Sequence, residues 1–157
     1  MSGMFIDLDV LFSKLDDILT IFFPANQSNS GFNNYSVMTL AANSTGEITF
    51  AVPNAAGSVE KVYLCGIVEP GAASTNRDID LFSNYSANTE VYNAHTASDT
   101  TTVYDLSASA NKIHVFDITT LFQDLSAGDF AGLTIDHNRI GGDINYLGLI
   151  LEYKLVA

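Results

Sequence analysis

Asp78 and Asp80, in the stretch NRDIDL, are two residues apart, so in an extended strand both carboxylates project from one face. Asp136, Asn138 and Asp143 gather further oxygen ligands around Gly141-Gly142. Oxygen-rich loops can hold Ca²⁺, and two carboxylates across a cleft can hydrolyse a glycosidic bond. Neither pattern is complete here: no twelve-residue loop ends in a bidentate Glu, and no spacing places two acids across a cleft. The acids therefore read as solvated strand-edge and turn residues. His95, His114 and His137 are far apart, with neither HxH nor HExxH spacing. His114 alternates onto the face of Lys112 and Phe116 as a sheet residue, and His95, in NAHTASD, reads as a solvated loop residue. GxSxG is absent, so no Ser/His/Asp set is singled out. Cys65 is the one cysteine and sits inside the apolar run Val62 to Val68, which makes it a small buried hydrophobe rather than a nucleophile or a disulfide partner. Tyr85 and Tyr92, near the polar middle loops, are the aromatic pair that could form a sugar platform, with core or edge packing as the plainer reading. Asn26, Asn34, Asn43 and Asn84 begin N-x-Ser/Thr triplets, as chance produces in a chain this rich in Asn, Ser and Thr.

No catalytic, cofactor-binding or metal-binding residue is assigned, and the expectation is a non-enzymatic protein without a cofactor. Charge narrows the partners. Six Lys and Arg against 18 Asp and Glu give a net charge of −12, and the basic residues are scattered. Contact with a nucleic-acid backbone, which depends on cations displacing counterions, is not expected. With 15% charged residues, solubility falls to Asn, Ser, Thr and Asp, which suit exposed sheet and turns better than helices.

The elements that would position these residues are mostly strands. At 157 residues the chain reads as one domain, of a size that buries roughly 70% of its unfolded surface. Residues 1–25 carry the one helical pattern, with Leu8, Leu11, Phe12, Leu15, Ile18, Leu19 and Phe22 at three- and four-residue spacing and Pro24 as its stop. Asp7, Asp9, Lys14, Asp16 and Asp17 interrupt it, so it is not read as a membrane span, and the lack of a preceding basic residue argues against a secretory signal. It is more apolar than a surface helix needs. The segment is therefore expected to dock on the β-domain or on a neighbouring subunit, with Phe5, Leu8, Leu11, Phe12, Leu15, Ile18, Leu19 and Phe22 as the contact residues. Residues 26–35 read as a polar linker, and 36–157 as a β-sandwich.

Within the sandwich the predicted strands are Val37 to Ala42, Glu47 to Val52, Val59 to Glu69, Asp78 to Phe82, Glu90 to Ala94, Thr101 to Leu106 and Lys112 to Ile118. The run from Val59 to Glu69 is apolar enough through its middle to be central. Thr119 to Leu125 changes period and predicts a short helical turn, with Asp117 or Thr119 as N-cap and Gly128 beyond its end. Two alternating runs then flank Gly141-Gly142 and predict a closing hairpin. In the first, Ala131, Leu133, Ile135 and His137 face away from Phe130, Gly132, Thr134 and Asp136. In the second, Leu147, Leu149, Leu151, Tyr153 and Leu155 share a face. About eight strands with short connections and no βα alternation predict an all-β antiparallel sandwich of jelly-roll type, with an immunoglobulin-like sandwich second.

The segment DITTLFQDLSAGDFAGLTIDHNRIGGDINYLGLILEYKL, about a quarter of the chain, resembles the C-terminal ends of small jelly-roll virion proteins encoded by tailed bacteriophages. The likeness lies in a short helix ending in AGD, a strand, a Gly-rich loop and a last strand of the form YLGLxLEY. The resemblance implies a head decoration or cement protein, or a fibre-type accessory subunit, homo-oligomeric and commonly trimeric. Its place would be the outer surface of the virion, with capsid or other virion proteins as partners and no nucleic acid or membrane. The alternative is a carbohydrate-binding module built on Tyr85, Tyr92 and the acidic loops, with or without Ca²⁺.

Overall fold

Alternation of apolar and polar residues dictates that most of this chain be extended with one face buried, and the computed structural model of the protein is built that way. It describes residues 18–25, 30–32, 35–73, 77–106, 108–137 and 142–155. In chain order the strands are β1 (Leu19–Pro24), β2 (Ser30–Phe32), β3 (Tyr35–Leu40), β4 (Thr45–Ala51), β5 (Ala56–Val68), β6 (Arg77–Ser86), β7 (His95–Asp99), β8 (Val103–Tyr104), β9 (Ile113–Asp117), β10 (Phe130–His137) and β11 (Ile144–Leu155). One helical turn, Pro70–Ala73, follows β5, and one 3₁₀ turn, Thr119–Phe122, precedes β10. No helix among the described residues is long and apolar enough to cross a membrane.

All pairings are antiparallel and form two sheets. One runs β2-β3-β11-β5-β9 with β1 also on β11; the other runs β4-β10-β6-β7 with β8 also on β6. Apart from the adjacent pair β6 and β7, the long strands from β3 onward cross from sheet to sheet, with β3, β5, β9 and β11 in one layer and β4, β6, β7 and β10 in the other. This is the interleaving of a jelly roll. The all-β sandwich expected from the sequence is therefore the architecture.

Periodicity and burial agree strand by strand. On β4, Gly46, Ile48 and Phe50 are buried between exposed neighbours, and on β10 Ala131, Leu133, Ile135 and His137 are buried, alternating with exposed Phe130 and half-buried Gly132, Thr134 and Asp136. β5 is central, flanked by β11 and β9, and is buried continuously from Leu64 to Val68. Cys65 is buried there, and burial pushes its thiol pKa up, away from reactivity. Between the sheets, Met38, Leu64, Phe116, Phe122, Leu133 and Tyr146 are among the core residues.

Several expectations are corrected. Leu19–Pro24 is a strand, not the end of a helix, and it pairs with Tyr153 through Gly148 of β11. Residues 1–17, with Phe5, Leu8, Leu11, Phe12 and Leu15, lie outside the described residues. A short apolar run fits both periods, and Thr20, Ile21, Phe22 and Phe23 are β-formers. What decides is β11: β5 pairs along one of its edges, while β3 and then β1 share the other. The linker region holds strand β2. Residues 90–94 are turn, tied by the Glu90 amide to the Ala87 carbonyl (3.2 Å) and the Ala94 amide to the Val91 carbonyl (3.0 Å), and the strand begins at His95.

The closing hairpin is not one. β10 and β11 lie in different sheets, so the Gly141-Gly142 region joins layers rather than partners. β11 also changes phase. Ile144 and Tyr146 face the core, a bulge follows between Tyr146 and Gly148, and Leu149, Leu151 and Tyr153 then take the inner positions. Leu147 is therefore not on their face. Gly148 has φ 149°, and a Cβ there would run into the Phe23 carbonyl oxygen of β1.

Candidate functional site

Two surfaces merit attention, one on the outer face of each sheet. On the six-stranded sheet, the register sets Phe22 of β1 opposite Ile150 of β11, and Ile150 opposite Tyr63 of β5. One pleat further along, Val115 stands opposite Cys65, and Ile113 opposite Ile67. Strand alternation puts all of these on the outer side. Phe22 is 50% exposed, and Val115 and Ile113 are about as open; Ile18, just before β1 and beyond the row of Thr20, Glu152 and Lys61, is 52% exposed. Three of the eight expected contact residues, Ile18, Leu19 and Phe22, are thus exposed at a sheet edge, while Ile21 and Phe23 turn inward and Phe23 packs on Phe50 with ring centroids 5.3 Å apart. An apolar row of this kind, rimmed by charge, is how partner surfaces are composed. The rim is Lys61, whose ammonium donates to Asp117 Oδ2 at 2.8 Å, next to Glu152. Lys61 and then the Thr119 hydroxyl, donating to Oδ1 at 2.6 Å, hold the Asp117 carboxyl down to about 2. Asp117 also accepts the Thr119 amide, although the capping position itself is Ile118, which caps with no side chain.

On the five-stranded sheet the outer residues of β10 are Phe130, Gly132, Thr134 and Asp136, flanked in register by Ala51, Thr49, Glu47 and Thr45 of β4 and by Ser86, Asn84, Phe82 and Asp80 of β6. Gly132 leaves a hollow of about 440 Å³ between Thr49 and Asn84, walled by Phe130 (64% exposed) and by Tyr92 (81% exposed) from the turn before β7. Sequence reading named Tyr92 but missed Phe130 and Gly132. The signal was available: an aromatic residue on a strand face otherwise made of Gly, Thr and Asp.

The remaining candidates are structural. Tyr85 is buried, receives the Asp124 amide on its hydroxyl at 3.3 Å and stacks on His95 at 5.1 Å and 11°, so it is no platform, and His95 is a strand residue rather than a solvated loop residue. His114 lies on the inner side against Phe116 (4.5 Å) and shares a hydrogen bond with the Ser109 hydroxyl (2.9 Å); burial lowers its pKa. Burial, with Asp99 adding, pushes the Tyr104 hydroxyl up to about 12. His137 is fully buried and joins the two sheets through the Tyr146 hydroxyl, 2.7 Å from Nε2. Asp80 and Asp136 stand opposite one another, and among the described residues no three His, Cys, Asp or Glu side chains converge as metal ligands.

No family model matches the chain, and no curated protein matches it. Among solved structures the chain is similar to a recombinantly expressed latent aurone synthase (polyphenol oxidase), at 12% identity and a TM-score of 0.43, over 85% of this chain and 29% of that one. The chain thus spans under a third of that protein's length, and a likeness of this order carries no inference about function.

Proposed function

We propose that this chain is a non-enzymatic structural protein of a virus particle, of the capsid-decorating or cement type of tailed phages, displayed on the outer surface as a homo-oligomer, with a trimer favoured. One observation supports this most: on the outer face of the six-stranded sheet large apolar side chains stand in solvent, Phe22 on the edge strand β1 and Ile113 and Val115 on β9 at the other edge, with Ile18 and Leu19 also open at the start of β1. The resemblance of the C-terminal quarter points the same way. In this reading the apolar face and residues 1–25 meet a neighbouring copy or the capsid, while the acidic, Asn- and Thr-rich remainder faces bulk solvent and resists nonspecific adhesion.

Sedimentation of the full chain, of Phe22→Glu and of Val115→Glu tests it. The full chain is expected to sediment as an oligomer and to co-sediment with capsids of its own virus, and both variants as folded monomers. A full chain that is monomeric and ignores capsids overturns the proposal.

A further inference from the structure

The geometry points to the hollow over Gly132 as a binding site for a neutral oligosaccharide. We infer this from what a glycine does in the middle of a regular strand. Gly132 pairs in unbroken register with Thr49 on one side and Asn84 on the other, and its backbone is not in the left-handed region. An added Cβ would meet the Asn84 carbonyl oxygen at 4.0 Å, an ordinary contact. Neither backbone conformation nor packing therefore requires glycine, which weakens a strand relative to a residue with a side chain. What glycine does provide is a floor low enough for a ligand to reach the sheet.

Ligand chemistry follows from the walls. Tyr92 and Phe130 are largely exposed aromatic residues, a type on whose rings the C–H faces of a pyranose stack. Thr49, Asn84 and Ser86 line the same hollow and offer hydroxyl and amide groups that both donate and accept, as sugar hydroxyls require. No cation lines it, Glu47 stands at one end, and the chain carries −12, so phosphate and acidic glycans are repelled. Its volume of about 440 Å³ lies within the usual range of small-ligand sites. The hollow also continues in both directions, past Tyr92 toward Thr134 and past Phe130 toward Asn54 and Asn88. From Phe130 to Thr134 the trough runs about 13 Å along the strand, long enough for a short oligosaccharide rather than a single ring. No metal is needed for this arrangement. The site lies on the sheet opposite the apolar face, so the two readings fail independently.

The test is calorimetric titration of the full chain with cellotetraose, maltotetraose, chitotetraose and mannotetraose, with sialyllactose and a heparin tetrasaccharide as anionic arms, each with and without EDTA. At least one neutral sugar is expected to bind, insensitive to EDTA, and to shift the amide resonances of Gly132 and Asn84; the anionic arms stay silent. Tyr92→Ala and Phe130→Ala each weaken binding on the order of tenfold. Gly132→Val, which builds a β-branched side chain into the hollow, abolishes binding while leaving the melting temperature unchanged or higher, and Gly132→Ala weakens it with no loss of fold. Silence of every neutral sugar, equal binding of the anionic ones, loss of binding in EDTA, or undiminished binding by folded Gly132→Val or Gly132→Ala each overturns the site.

Discussion

Single residues hold the two layers in register, and their contributions separate by burial. The His137–Tyr146 hydrogen bond crosses the sandwich interior, where an unmatched polar group is costly. Tyr146→Phe is expected to lower the unfolding free energy by about 1–2 kcal/mol. His137→Ala should lower it by about 2–4 kcal/mol, because it adds a cavity to the same loss. Urea unfolding of both and of the double variant checks this, and simple additivity would show that the bond does not couple the sheets. Asp117 is the opposite case. Its carboxyl is held down to about 2, first by Lys61 and then by Thr119, so the stability it contributes is present above the ordinary carboxylate pKa, near 4, and is lost as pH falls through 2. Being half in solvent, the group should contribute under about 1 kcal/mol after screening. Carbon-detected NMR titration of Asp117 reads the midpoint, and an unshifted value would refute the assigned pairing.

At the scale of elements, β1 shows how one strand serves two surfaces. Ile21 and Phe23 close the core over Phe50, while Phe22 is turned outward. Phe23→Ala should therefore destabilise the folded chain by about 3 kcal/mol, whereas Phe22→Ser changes its stability by less than about 0.5 kcal/mol and alters self-association. Thermal melts at low protein concentration distinguish the two, and equal losses would mean that β1 does not sit with Phe22 outward. The bulge that lets β11 receive β1 predicts a contrast between two glycines. Gly148→Ala meets both a disfavoured φ and the Phe23 carbonyl and should cost at least about 2 kcal/mol, while Gly132→Ala, on the regular strand β10, should be neutral or stabilising. Similar melting temperatures for the two variants would contradict the geometry of the bulge.

For the whole molecule, the association proposed above sets apolar contact against like-charge repulsion. A chain of −12 that associates through Phe22, Ile150, Val115 and Ile113 should associate more tightly as salt rises to about 0.15 M, where charges beyond about 8 Å are screened. Sedimentation across a salt series tests this, and weakening with salt would instead indicate an ionic interface.

The fold was readable because alternation reports directly on which side of a strand is dry. Inner and outer residues of β4 and β10, the central place of β5 and the sandwich class follow from residue order alone, since each depends on a residue and its near neighbours along one strand. Pairing is not encoded that way. The two runs around Gly141-Gly142 look the same whether they bond to one another or face across a core, and LTIFFP is strand or helix according to whether an edge of β11 is open to it. The phase change at Gly148 likewise answers to the approach of Phe23, a residue 125 positions away. Only the assembled sandwich decides these things, because hydrogen-bond partners, bulges and the hollow over Gly132 arise from surfaces that distant segments present to each other after the strands have formed.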